Sequence, residues 1–373
     1  MILKGQTAPA VVDTYNRALA LCQPVGDRVQ RFSALAGLWR YYLTRGQFHK
    51  ARELGEQGLA LAESMHDPAL LQEVHTMLGS ILLYMGELLT AREYLEQSAT
   101  SYDPVRLRSL TYSRGTDLRV ICLSRLSWAL WILGYPGSAL ARVREALTLA
   151  QQSSHLFSIV FARFYASMIH QCRREAQATQ EHSEAIMALS SEHGFVMWSA
   201  EGLCMHGWAL AQGTRVEEGI EQMRQSLATL EAMGVEVGYS SLLMMLAEAY
   251  WTAGQNAAGL HTLAAARALM HKNAEGYYAA ELARLTGELL LQESQGQKTV
   301  DAEQHFQQAR TLARRQHARS FELRATMSLS RLWQRQGKRD AARHILAESY
   351  GWFAEGHETQ DLQKAKALLE ALH

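Results

Sequence analysis

The apolar positions recur at helical spacing, in pairs of runs broken by a glycine. Residues 243–266 read LMMLAEAYWTAGQNAAGLHTLAAA. Leu243, Leu246, Ala247 and Tyr250 fall on one helical face before Gly254. Leu260, Leu263 and Ala266 share a face after it. The same phrase returns around Gly46, Gly86, Gly134, Gly213 and Gly337. Two further units lack the marker glycine. One turns near Arg173, with Ala178 and Ala185 in its second run. The other passes from Leu285, Thr286 and Gly287 through SQGQKT to Ala302, Phe306 and Ala309. A repeat of about 40 residues made of two amphipathic helices cannot bury its apolar face alone, so such units stack in series.

Small residues sit where two helices must come close. Gly79, Ala166, Gly207, Ala247 and Gly287 precede the breaks; Ala51, Ala91, Ala139, Ala178, Ala302 and Ala342 follow them. Without bulk there, helix axes pack near the short end of the usual 8–10 Å range. The expected division is a second helix of a truncated repeat in 1–29 and about eight hairpins in 30–356. A loop is inserted near 101–117, and a capping helix fills 357–373. The fold expected is all-α, a right-handed superhelix of antiparallel helix pairs, about sixteen helices in the hairpins.

Composition narrows the class. Hydrophobic residues make up 48% of the 373, enough for a large core, and no proline follows Pro136. Proline breaks helices, so its absence favours helix over sheet. The four cysteines, Cys22, Cys122, Cys172 and Cys204, form no C-x-x-C pair, which argues against a zinc site and for buried free thiols in a reducing compartment. Neither a signal core nor a long apolar span appears, so a cytoplasmic location is expected. Formal net charge is zero. Between Arg310 and Arg343, ten Lys and Arg face two Asp and Glu. That stretch reads as a solvated helix face; a nucleic-acid-binding regulator acting through it is the alternative.

Catalytic chemistry finds no support. His170, His182 and His193 are spaced by 12 and 11 residues, and His261 and His271 by ten. None of these is the i, i+4 spacing of a metal pair on one helix. The sequence contains no G-x-S-x-G elbow and no phosphate loop. No enzyme activity, metal or cofactor is expected.

The hairpin grammar resembles the tetratricopeptide repeat (TPR), in longer units than the usual 34 residues. It is similar to the sensor arm of the maltose-regulon activator and related signal-transduction ATPases. The stretches at 242–255, 279–292, 301–356 and 361–372, with 37–57 and 132–136, resemble the C-terminal repeat region of large bacterial proteins. Those proteins carry a class III nucleotide cyclase domain and a STAND-type ATPase domain upstream. The family's Asp-Pro-Gly-Val turn is replaced here by Asp117-Leu118-Arg119-Val120. The resemblance carries over no catalytic residue. It implies a non-catalytic scaffold or sensor arm in bacterial signalling or transcriptional regulation.

In such a stack the first helix of each pair lines the concave groove. Counting ten, six, three and two residues back from each turn places Trp128 and Trp131 in the groove, then Arg163 and His170, then Trp208. Met244, Glu248 and Trp251 follow, then Arg284 and Glu288, then Arg331 and Arg335. Tryptophan and arginine are frequent anchors of bound partners. The expected partner is a protein or peptide segment, or a small ligand. Val12, Tyr15 and Leu19 form an apolar face at the N-terminal end, where either self-association or poor order is expected.

Overall fold

The computed structural model describes residues 9–100 and 117–372. The inserted loop lies outside the described residues except for Asp117. Every regular element among them is a helix, eighteen in all. Helix α1 (Pro9–Val25) comes first. Eight hairpins follow: α2 (Arg28–Thr44) with α3 (Phe48–Met65), α4 (Pro68–Met85) with α5 (Leu88–Thr100), α6 (Leu118–Leu133) with α7 (Pro136–Ser153), and α8 (Leu156–Cys172) with α9 (Ala176–His193). Then come α10 (Val196–Ala211) with α11 (Val216–Ala232), α12 (Tyr239–Thr252) with α13 (Asn256–Asn273), α14 (Ala279–Glu293) with α15 (Thr299–Arg315), and α16 (Arg319–Arg335) with α17 (Arg339–Gly351). Helix α18 (Gln360–Ala371) is last.

Local chemistry sets the boundaries. Asp67 accepts from the backbone of Ala69 and Leu70 ahead of Pro68 at the start of α4; Asp117 does the same for Arg119 and Val120 at α6. At the other ends, Gly46, Gly86, Gly134, Gly254 and Gly337 take positive φ, between 66° and 95°. The unit without a glycine uses Arg174, at φ 66°, for the same reversal. Gly213 does not adopt positive φ, and the α10–α11 turn runs through Gln212–Arg215 instead.

The two layers differ in burial. In α4, thirteen of eighteen residues are buried; in α3, five of eighteen. First helices are covered on all sides and second helices on one, which puts the first helices inside. The fourth residue of each second helix is Ala51, Ala91, Ala139, Thr179, Gly219, Gly259, Ala302 or Ala342. All are small. At α9 the place belongs to Thr179, one residue beyond the expected Ala178. Backbones come very close at α10 and α11, where a Cβ on Gly219 would lie 2.3 Å from the Gly207 carbonyl oxygen.

The coil is tight enough to touch itself. The Thr44 carbonyl, ending α2, accepts from Glu236 N at 2.9 Å, just before α12. The Tyr84 carbonyl accepts from Gly276 N at 2.9 Å, just before α14. Ser320 of α16 donates to the Trp131 carbonyl of α6 at 2.5 Å, and Arg173 reaches Glu358 before α18 at 2.9 Å. Each contact joins the end of one first helix to the start of the first helix five hairpins later. One superhelical turn therefore takes five hairpins.

Candidate functional site

The axis of the first turn holds a cavity of about 130 Å³. First helices of six consecutive hairpins line it. Helix α2 supplies Ala36, Trp39, Arg40, Leu43 and Thr44; α4 supplies Glu73, Thr76, Met77 and Tyr84; α6 supplies Leu118, Ile121, Arg125 and Trp128. Helix α8 supplies Phe157, Phe161, Phe164, Tyr165 and Met168, and α10 supplies Met197, Trp198 and Glu201. Val237, Gly238, Ser241 and Leu242 close it at α12.

Its wall is aromatic. Trp198 packs edge-on against Phe157, Phe161 and Phe164 at 5.4–5.7 Å between ring centres. Trp128 meets Tyr84 at 5.5 Å and Tyr277 at 4.8 Å. Such edge-to-face pairs hold the rings rigidly.

Several polar groups in this wall are buried without hydrogen-bond partners: the indole N–H groups of Trp39 and Trp128, Nε and Nη1 of Arg125, and Oε2 of Glu201. Buried polar atoms in folded proteins are nearly always satisfied, so a cluster of orphans marks a place where something else supplies the partner. Burial with no neighbouring cation pushes the Glu201 carboxyl up to about 8. Burial lowers the Arg40 guanidinium; Tyr15 opposes this in part, and Arg125 adds to it.

The second turn's lumen is filled by ion pairs. Arg174 pairs with Glu248, which also accepts from Trp208 Nε1 at 3.0 Å. Arg284 holds Glu281 at 2.8 Å, and Arg324 bridges Glu281 at 3.5 Å and Asp361 at 2.7 Å. Burial alone would raise the Glu281 carboxyl, but Arg284 and Arg324 outweigh it and hold it down at about 2.

Of the residues singled out from the sequence, Trp128 lines the cavity. Trp131 is buried against Phe321 and beneath Arg324. Trp208, Glu248, Arg284 and Glu288 belong to the ion-pair lumen; Met244 is buried and Trp251 half-buried in the core. Arg163 and His170 lie outside the cavity wall and act on α9, where the His170 and His182 rings stack at 5.4 Å. Arg331 is half-buried and Arg335 exposed. Among the described residues no group of His, Cys, Asp and Glu could hold a metal ion. Among the described residues no helix is long and apolar enough to cross a membrane.

The counting rule, extended to Gly46, lands on Ala36, Arg40, Leu43 and Thr44, all in the cavity wall. Trp39, Arg125, Trp198 and Glu201 were missed. They stand one to several residues off those places, and nothing in the helical period separates them from ordinary core.

The chain is thus an all-α, TPR-like superhelix of stacked hairpins. No family profile and no curated protein matches it. Solved structures do. A Rap protein complexed with Competence and Sporulation Factor superposes with a TM-score of 0.58 at 9% identity, over 92% of this chain and 97% of that one. The Rap conjugation gene regulator of plasmid pLS20, in complex with a Phr peptide, gives 0.57 at 11% identity, over 91% and 95%. A STAND protein with a TPR sensor from Pyrococcus horikoshii gives 0.43 at 12% identity, over 98% and 55%, too loose a fit to argue from. At these identities the likeness is one of fold.

Proposed function

We propose that this chain is a non-catalytic scaffold or sensor arm that binds a protein segment or small ligand in its concave lumen, in bacterial signalling or transcriptional regulation in the cytoplasm. The observation that carries this reading is the axial cavity, walled by six consecutive first helices and fringed with unpartnered donors. A ligand there touches six hairpins at once, so binding in the lumen biases the pitch of the whole coil. One Rap structure is described as a complex with Competence and Sporulation Factor and the other as a complex with a Phr peptide, and the latter supports a peptide as the ligand class here.

The basic stretch after Arg310 gives no reason to prefer nucleic acid. Arg310 and Arg314 pair with Glu348, Arg319 with Glu322, and Arg324 with Asp361.

The test is a randomised peptide library screened against the purified chain, with hits followed by tryptophan fluorescence. Phe164 is a half-buried wall residue, so Phe164→Ala is expected to leave the fold intact. It should weaken a verified ligand tenfold or more, about 1.4 kcal/mol. Trp251→Ala, outside the cavity, should weaken it less. Normal binding by a folded Phe164→Ala protein defeats the proposal.

A further inference from the structure

Orphaned donors outnumber orphaned acceptors in this cavity. Among the described residues neither Arg40 nor Arg125 has a carboxylate at ion-pair distance. Arg125 is only 7% exposed. Its guanidinium rests near the faces of Trp39 and Phe161, at 5.8 and 5.9 Å, and two of its nitrogens have no hydrogen-bond partner. Ring faces attract a cation but offer no lone pair to an N–H. The indole N–H groups of Trp39 and Trp128 are orphaned beside it. The two carboxyl groups in the wall do not balance these charges. Glu73 has interactions of its own. Glu201 has no cation against it, and burial keeps it protonated up to about pH 8. A buried cation without a partner is costly, and a site full of orphaned donors gains most from an anionic acceptor.

Most of the remaining wall is apolar, with Phe157, Phe164, Met168, Met197 and Leu242, while Thr44, Thr76 and Ser241 add hydroxyl groups. An apolar cavity of about 150 Å³ admits benzene. At about 130 Å³, this one is of the size that holds a single side chain.

We infer that the cavity receives a carboxylate borne on an apolar group, with Arg125 and Arg40 taking the anion and the aromatic wall taking the side chain. This rests on the lumen-binding reading above and narrows it. The chemistry is that of the last residue of a peptide with a free C-terminus, or of a small arylalkyl carboxylic acid. Arginine suits it because its fork of N–H donors matches two carboxylate oxygens.

The experiment uses the full chain and two pairs of probes. One pair is 3-phenylpropionate and 3-phenylpropanamide. The other is a decapeptide library ending in Leu or Phe, made with free and with amidated C-termini. Binding is read by calorimetry. In at least one pair the free acid should bind tenfold or more tighter than its amide. Arg125→Met should abolish that preference while raising the melting temperature, because it removes an unpaired buried cation. Arg40→Gln should reduce the preference. Preference in the phenylpropionate pair alone identifies a small acid; preference in the peptides identifies a C-terminus. Equal binding of acid and amide in both pairs overturns the inference. If Phe164→Ala then abolishes that equal binding, lumen binding survives without it. Absence of binding by every probe overturns both.

Discussion

Arg324, on α16, donates from Nη2 to the carbonyl oxygen of Cys172, the last residue of α8, at 2.7 Å across 152 residues of sequence. The same guanidinium holds Asp361 on α18 at 2.7 Å and Glu281 on α14 at 3.5 Å, and it lies over the Trp131 ring at 4.9 Å. One side chain thus ties together both turns of the coil.

Arg324→Ala should therefore be among the most damaging single changes outside the apolar core. It removes the ion-pair partner of Asp361 and one of the two ion-pair partners of Glu281. Removing one partner of a buried pair costs about 3–5 kcal/mol. Arg324→Lys should recover only part of this, since an ammonium cannot reach three acceptors in one plane. Urea denaturation measures both. The linked pH dependence has a definite sign. Glu281 is held near 2 against an ordinary value of 4.5, so its contribution is present above pH 4.5 and lost as pH falls towards 2. An alanine variant within about 1 kcal/mol of wild type at pH 7 contradicts the clamp.

The α10–α11 contact is backbone on backbone. A Cβ on Gly219 would sit 2.3 Å from the Gly207 oxygen and 3.0 Å from the Ala211 nitrogen. Neither can swing aside, so the helices must part. Gly219→Ala should cost about 1–3 kcal/mol, in spite of alanine's better helix propensity. Gly351→Ala is the control: nothing lies within 4 Å of its Cβ position, and that change should be neutral or slightly stabilising. Equal melting temperatures for the two variants remove the close approach as a determinant of stability.

The hairpins were readable from the sequence because their determinants are local. Small residues at the fourth place of each second helix, such as Ala91 and Ala302, repeat with the chain, and so do the turn glycines. The groove was readable only in part. Counting back from Arg173 picks Arg163 and Ser167; the residue that reverses the chain is Arg174, and counting from it gives Phe164 and Met168, both in the cavity wall. A residue with a side chain took a glycine's place, and the register slipped by one. The self-contact of the coil was hidden for another reason. Pairs such as Thr44 with Glu236 are set by the small rotation between successive units, summed over five of them. No window of sequence contains that sum.

Self-association through the N-terminal end remains a proposal with a physical basis. Helix α1 is held to α2 by Tyr15, whose ring covers Gly37. Leu21 on α1 and Val29 on α2 are 62% and 51% exposed. Exposed apolar groups beside a half-buried helix favour pairing with another surface. Sedimentation between about 1 and 100 μM should show the weight-average mass rising with concentration, and Leu21→Glu should suppress the rise. A wild-type protein that stays monomeric across that range rules this surface out as an interface.

Glu201 makes stability fall as pH rises through neutrality. The residue is 6% exposed, and burial with no cation acting on it pushes its carboxyl up to about 8, against 4.5 in the unfolded chain. Between those two values the folded protein holds a proton that the unfolded chain has released. Stability is then full below pH 4.5 and declines as pH rises towards 8, the reverse of the Glu281 window. Glu275, pushed up by burial to about 7, adds to the same slope in wild type and variant alike. Glu201→Gln keeps the shape and cannot ionise, so it isolates one contribution. The variant should match wild type near pH 5 and exceed it at pH 8.5, by an amount on the order of a few kcal/mol. Urea titrations at pH 5, 6.5, 7.5 and 8.5 supply the curves, and the difference between the two proteins should grow steadily along that series. A flat difference means that Glu201 is already ionised at pH 5, paired with a cation or with water that has entered the cavity.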